Sequence, residues 1–353
     1  MKAIGIEAPG GEPRLMEVPR PDPAEGEALV RTLRVGVDGT DHEVIAGTHG
    51  GLPPGADYLV LGHEAVGAVE AERGTDLEVG DVVAPTVRRP PDGAANGYFS
   101  RGEADMAPPE ETLERGIDGA HGFMSEYFTS DESFLVRVPE TLAEYGFLIE
   151  PISITEKALE LADAARSSFE WNPETALVLG NGSLGLLTTA MLTTDHETYC
   201  LGRRDRPDPT IDIVETLGAT YVDSRETPVE EIPAEYEAAD LVYEATGYAR
   251  HAVESVHALA PNGVATLLGL PDSWTFEIDG GNFHRDIVMH NKALLGSVNS
   301  GPRHFEAAVE TLAELPSWFL SDLLTTVAPL DAFETAFADD PTVIKTAVEF
   351  DTL

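Results

Sequence analysis

One cysteine and four lysines are all that 353 residues contain of those two types. The lone Cys200 excludes an internal disulfide and any structural zinc lobe built on four thiolates. It follows Tyr199 in an apolar run, which predicts a packed core side chain rather than a reactive thiol. Nothing at the N-terminus resembles a signal peptide, and no apolar run approaches the ~18–20 residues that span a bilayer. The expected location is the cytoplasm, with no membrane partner. Basic residues are scarce: 22 Lys and Arg stand against 63 Asp and Glu, a net charge of −41. Clustered cations for phosphate contacts are missing, so no nucleic-acid partner is expected. A disordered acidic chain would lack the 42% hydrophobic residues present here, and the acids are dispersed rather than gathered into a tail. The composition is that of a halophilic globular protein, whose self-repulsion concentrated salt would screen.

What is present is a glycine pattern in mid-chain. Ala176–Leu179 form a short apolar run suited to a buried parallel strand, and Gly180, Gly182 and Gly185 follow at G-x-G-x-x-G spacing. Leu184–Leu192 then continue as an apolar helix. Such a turn bares backbone N–H groups at a helix N-terminus, where the macrodipole favours a pyrophosphate. Gly180, Asn181, Gly182, Ser183, Leu184 and Gly185 are therefore the candidate dinucleotide-binding residues. A glycine-rich turn without ligand is the plainer alternative. About 175 residues precede the fingerprint, enough for a separate domain.

Those residues read as β-rich, with strand-like runs at 2–6, 27–37, 64–69 and 81–84. The segment 85–120, full of Gly and Pro, predicts a long functional loop. A helix is expected over 152–166, then alternating strands at 176–179, 198–201, 219–222, 240–243, 264–269 and 293–297 with helices between. That alternation predicts a doubly wound parallel sheet. The tail holds a helix over 303–314 and a strand over 344–350 that returns to the first domain. The expected division is 1–151 with 296–353 for one domain and 152–295 for the other.

Where NAD-binding proteins place an acid about 20 residues past the fingerprint, this chain has Gly202-Arg203-Arg204-Asp205-Arg206. Arginines so placed in so acidic a chain predict a clamp on an adenosine 2′-phosphate, formed by Arg203 and Arg204, and NADP over NAD.

Three segments of the first domain carry metal-ligating side chains: Asp38-Gly39-Thr40-Asp41-His42-Glu43, Gly62-His63-Glu64-Ala65-Val66-Gly67 and Glu150-Pro151. Each has a plain alternative. Asp38 could cap a helix starting at Thr40, His63 could be a core histidine, and Glu64 and Glu150 could be ordinary acids. His63-Glu64 is not a zincin helix, because Gly67 stands where the second histidine belongs.

Together with the mid-chain fingerprint, these segments resemble the zinc-dependent medium-chain dehydrogenase/reductases over essentially the whole chain. Asp38-Gly39-Thr40-Asp41 matches the C-x-[ST]-D motif with Asp for Cys. Gly62–Val69 match G-H-E-x-x-G-x-V, and Gly80-Asp81-Val82-Val83 match G-D-x-V. Glu114-Arg115-Gly116-Ile117, Glu150-Pro151-Ile152-Ser153 and Gly296-Ser297-Val298-Asn299-Ser300 look like the archaeal, particularly halophilic, glucose dehydrogenases. The resemblance implies a β-rich GroES-like catalytic domain beside the Rossmann domain. It implies zinc on Asp38, His63 and Glu150, with a fourth position open. Asp for thiolate keeps the −1 charge but replaces a soft donor with a hard one. Glu64 would either ligate directly or hold the metal-bound water, the second being preferred.

The implied reaction is hydride transfer from sugar C1 to NADP, with zinc as Lewis acid, giving the aldonolactone. Thr40 would pass the proton outward, unless it is only a helix-start hydroxyl, and Glu64 offers another exit. Glu114 and Asn299 would bind ring hydroxyls, although Asn299 could equally be a turn residue; Thr40, Glu64 and Glu150 would also touch substrate. A homodimer or homotetramer is expected. Another zinc alcohol or polyol dehydrogenase, a zinc-free quinone reductase of the same fold and a non-catalytic NADP-binding protein are the competing readings.

With this charge balance, stability and activity should rise steeply with molar KCl or NaCl, as the screening length falls from ~30 Å at 0.01 M to ~3 Å at 1 M. Thermal melts and rates across a salt series check this; full activity after dialysis into ~10 mM buffer would contradict it.

Overall fold

In a computed structural model, which describes residues 1–353 apart from 92–95, 339 and 341, the chain divides into two units. Met1–Ser153 with Asn299–Leu353 form the first, and Ile154–Val298 the second. The first begins with β1 (Lys2–Ile6), β2 (Arg14–Glu17), β3 (Glu27–Val37), α1 (Gly39–Ala46), β4 (Leu59–Val60), β5 (Ala65–Glu72), β6 (Val82–Pro85) and β7 (Arg88–Arg89). After α2 (Gly97–Ser100) come β8 (Leu113–Arg115), β9 (Gly119–Ala120), β10 (Tyr127–Asp131), β11 (Leu135–Arg137) and α3 (Ile149–Arg166). The second unit contains β12 (Thr175–Leu179), α4 (Ser183–Leu192), β13 (Glu197–Gly202), α5 (Pro209–Thr216), β14 (Thr220–Asp223), β15 (Ala239–Glu244), β16 (Leu259–Leu267) and β17 (Ala293–Gly296). The chain then returns to the first unit with β18 (Leu324–Pro329) and β19 (Lys345–Glu349).

A seven-stranded sheet runs in the order β11-β6-β5-β3-β19-β18, with β10 also paired to β3. β3 is buried along most of its length rather than alternating buried and exposed, with Arg31 and Arg34 as its partly exposed charges. Val30, Val35, Val69, Val83, Phe123, Phe128 and Val348 pack into its core. β19 pairs antiparallel with β3, Thr346 opposite Val37, so the C-terminal strand lies against the strand leading into Asp38.

The second unit is a six-stranded sheet in the order β14-β13-β12-β15-β16-β17, every pairing parallel. Renumbered from β12 this is the 3-2-1-4-5-6 order of the doubly wound dinucleotide-binding fold. All five residues of β12 are buried, as a central parallel strand requires. Cys200 is buried in β13, and burial pushes its thiol up to about 12, which suits packing rather than reactivity.

Two expectations need correction. The segment 85–120 is not one long loop: β7, β8 and β9 form a small sheet in which Arg88 lies opposite Glu114. Strands of two and three residues are too short to leave a period in the sequence. Residues 92–95 of that segment lie outside the described residues. β16 begins at Leu259 rather than 264, its first half masked by the turn-like Pro261-Asn262-Gly263. Among the described residues no helix is long and apolar enough to cross a membrane.

Candidate active site

In the second unit the glycine turn connects β12 to α4. Gly180 has φ +115°, a conformation side-chain-bearing residues rarely adopt, and a Cβ at Gly185 would lie 1.9 Å from the Gly180 carbonyl oxygen. A Cβ at Gly182 would meet nothing within 4 Å, so the backbone there borders open space. Gly182 caps α4 without a side-chain acceptor, leaving the first N–H groups for a ligand. Asn181 donates to Thr210 Oγ1 at 2.6 Å, which fixes the turn to α5. These features fit a pyrophosphate. Just past β13, Arg203 is exposed and Arg204 half-buried, while Arg206 is paired with Glu215. Arg225, which the sequence reading passed over, donates to the Arg204 carbonyl at 3.2 Å and pairs with Asp205 and Asp223. It steadies the arginine loop from the end of β14.

In the first unit Asp38 follows β3 and caps α1, one residue earlier than the predicted start at Thr40. Its Oδ1 accepts from Asp41 N at 3.1 Å, and Asp41 Oδ2 accepts from Asp38 N at 3.1 Å. Its other oxygen, Oδ2, lies 3.6 Å from His63 Nε2. Capping and site membership are therefore not alternatives: each oxygen does one. His63, in the link between β4 and β5, is 4% exposed, with Nδ1 3.8 Å from Asp41 Oδ1. Glu64 is buried, and Gly36 must be glycine because a Cβ there would lie 2.0 Å from Glu64 Oε2. Glu150 sits in the first turn of α3, buried, with Ser153 donating to its carbonyl. Thr40 is half-buried in the first turn of α1.

Ligand atoms of His63, Glu64 and Glu150 lie within 4.8 Å of one another, as do those of Asp38, Asp41 and His63. A cation from a distant segment, Lys345 of β19, also enters; it was missed in the sequence because a lone lysine in a strand carries no motif. Its Nζ donates to Glu64 Oε1 at 2.7 Å and lies 2.5 Å from Oε2, both side chains 1% exposed.

Four carboxyl groups thus face one lysine and one imidazole in a buried pocket. Burial lifts Asp41 to about 7 against the pull of His63, with Asp38 and Glu64 adding to the rise. Burial likewise lifts Glu150 to about 8, again opposed by His63 and reinforced by Glu64 and Asp38. Burial alone would lower His63, but Asp38, Asp41 and Glu150 hold it well above its ordinary value. Asp38 goes the other way: burial would raise it, but His63, Lys345 and the Asp41 N–H together hold it below its ordinary value. The pocket is short of positive charge. His63 Nδ1 and Asp41 Oδ1 have no hydrogen-bond partner, and the carboxylate beside Nδ1 suits a tautomer with Nε2 free to ligate. One imidazole among buried carboxylates fits a divalent zinc site.

Glu114 and Asn299 meet: Asn299 Nδ2 donates to Glu114 Oε1 at 2.7 Å. Asn299 has φ +58°, which asparagine tolerates, so its turn character and its polar contact coexist. The turn after Glu114 presses on the His63 segment, since a Cβ at Gly116 would lie 2.4 Å from the Gly62 carbonyl oxygen.

Residues 24–140 match the alcohol dehydrogenase GroES-like domain, and 143–350 match the glucose dehydrogenase C-terminus. A glucose 1-dehydrogenase of Haloferax mediterranei is 64% identical, with 100% of both chains covered. The chain belongs to the glucose dehydrogenase family. A solved structure of that family, the Haloferax mediterranei enzyme in complex with NADP, zinc and gluconolactone, superimposes with a TM-score of 0.98 at 64% identity over 100% of both chains. A D38C mutant of the Haloferax mediterranei enzyme superimposes with a TM-score of 0.97 at 64% identity over 100% of both chains.

The double duty of Asp38 yields a two-part prediction. Asp38→Ala should lose bound zinc and nearly all turnover, and also ~0.5–2 kcal/mol of stability from the missing cap. Asp38→Cys keeps a −1 donor and softens it, so it should retain activity and resist chelators better. Zinc content, rate and urea melts of both variants test this. An Asp38→Ala protein with full zinc and near-normal rate would remove Asp38 from the site.

Proposed function

We propose that this chain is a zinc-dependent, NADP-preferring glucose (aldose) 1-dehydrogenase. The observation carrying the reading is the pair of ligand clusters that share the buried His63, Asp38 and Asp41 on one side and Glu64 and Glu150 on the other, in a member of the glucose dehydrogenase family. Asp38, His63 and Glu150 hold the zinc. When bound, the ion supplies Lewis acidity toward the sugar's C1 hydroxyl, so that C1 gives up hydride to the nicotinamide and the aldonolactone results.

The chain's own residues do the rest. Gly180–Gly185 bind the pyrophosphate through backbone N–H groups, and Arg203 and Arg204 take the 2′-phosphate. Glu114 and Asn299 hold ring hydroxyls, and a sugar lacking one leaves a polar group unpaired. Thr40 passes the C1 hydroxyl proton outward. Lys345 engages both oxygens of Glu64, which favours Thr40 over Glu64 for that task and leaves Glu64 to shape the field around Glu150 and the substrate. The enzyme works in the cytoplasm as a homodimer or homotetramer. The open edge of β17, beside the exposed Val288 and Met289, is a surface a second copy would cover.

Aldose-dependent NADP reduction in molar salt, measured before and after chelation, tests the reading. Activity should vanish as zinc is removed and return when it is restored. No aldose-dependent reduction with zinc present, or full activity without it, would overturn it. Replacing Arg203 and Arg204 together with neutral residues should weaken NADP far more than NAD, since each charged hydrogen bond contributes about 1.5–3 kcal/mol. Titrating both cofactors measures this, and equal losses would assign the arginines to the fold or to general steering.

A further inference from the structure

Arg88 stands directly opposite Glu114 in the β7–β8 pair, so the two side chains project from the same face. Buried arginine needs its donors filled, and here Nε and Nη1 have protein partners. Its Nε donates to Glu114 Oε1 at 3.0 Å, and its Nη1 faces the carbonyl oxygens of Ala104, Asp105 and Ala107 at 3.4, 3.0 and 3.1 Å. The three carbonyls belong to a short 3-10 turn, Ala104–Met106, and its cap. The guanidinium is therefore anchored to backbone on one side and holds a carboxylate on the other, with the arginine side chain 7% exposed and the glutamate 17%.

Both donors that reach Glu114, Arg88 Nε and Asn299 Nδ2, land on the same oxygen, Oε1. Oε2 receives neither. Two donors from different segments, one of them on a planar guanidinium anchored to backbone carbonyls, hold the carboxylate oxygen in place, which a single flexible contact could not. The asparagine is oriented in turn: its Nδ2 is turned to Oε1, so Oδ1 lies outside that contact.

We propose that Arg88 is a positioning residue of the sugar site, acting through Glu114. By holding Oε1 it presents Oε2 as an acceptor in a fixed direction, and through the shared oxygen it orients Asn299 with its acceptor outside that contact. The pair then selects a ligand with two hydroxyl donors, and sugars lacking one of them are discriminated against. This rests on the aldose reading above.

The test compares glucose with its 2-, 3- and 4-deoxy analogues for the wild type, Glu114→Gln, Arg88→Gln, Arg88→Lys and the Arg88→Gln/Glu114→Gln double variant, in high salt with zinc present. Arg88→Gln should raise the KM for glucose about tenfold or more, the loss typical of one charged hydrogen bond. It should leave kcat and the KM for NADP within about threefold, and it should flatten the preference for glucose over the deoxy sugar that Glu114→Gln also flattens. The double variant should be no worse than Glu114→Gln alone, because both changes remove one interaction. Arg88→Lys keeps the charge without the fork and should recover only part of the loss. Equal losses for every sugar, or losses that add in the double variant, would overturn the proposal while the aldose reading stands. Failure of both Arg88 variants to fold would overturn it as well, by assigning Arg88 to the fold. A wild type indifferent to the deoxy sugars, with Glu114→Gln silent, would instead bring down the sugar-site reading and this proposal with it.

Discussion

A surplus of buried negative charge around His63 is the constraint that the rest of the first unit answers. Asp38, Asp41, Glu64 and Glu150 converge there with the buried amine of Lys345. Taking several carboxyl groups out of water is costly unless each finds a cation, a proton or a hydrogen bond. The chain supplies an ion pair at Glu64, backbone hydrogen bonds at Asp38 and Asp41, and protonation tendencies at Asp41 and Glu150. The divalent ion of the proposed function would complete the set. Local rules bend to this arrangement, as at Gly36, where the inner strand gives up a side chain so that Glu64 fits.

The substitution of aspartate for cysteine at the start of α1 is informative in the same terms. A thiolate would be a softer ligand but a poor cap, whereas a carboxylate has two oxygens to divide between tasks. Oδ1 ends the backbone of β3 cleanly by accepting from Asp41, and Oδ2 faces His63. The same economy recurs at Asn299, where the left-handed turn and the contact to Glu114 are made by one residue.

Much of the architecture could be read in advance because its signals are local. The central strand β12 of the second unit is a continuous apolar run, and Gly180 and Gly185 each meet a distinct backbone demand within the turn that follows it, while Gly182 borders open space. The small sheet of β7, β8 and β9 escaped notice because its strands are two or three residues long. Arg88, Arg225 and Lys345 escaped notice for a different reason. Each acts on a partner 21 to 281 residues away, and none belongs to a motif.

The sequence alone determined the acidic character, the mid-chain glycine turn, the arginines that follow β13 and the residue types able to ligate a metal. Those follow from composition and from contacts within a few residues, which spacing encodes. The tertiary structure decided which of 63 acids are buried together, which oxygen of Asp38 caps and which faces His63, and which cation answers Glu64. Those depend on β19 pairing with β3 and on β8 pairing with β7, contacts across long stretches of chain. Burial and charge pairing are properties of the folded neighbourhood, so they exist only once those strands have met.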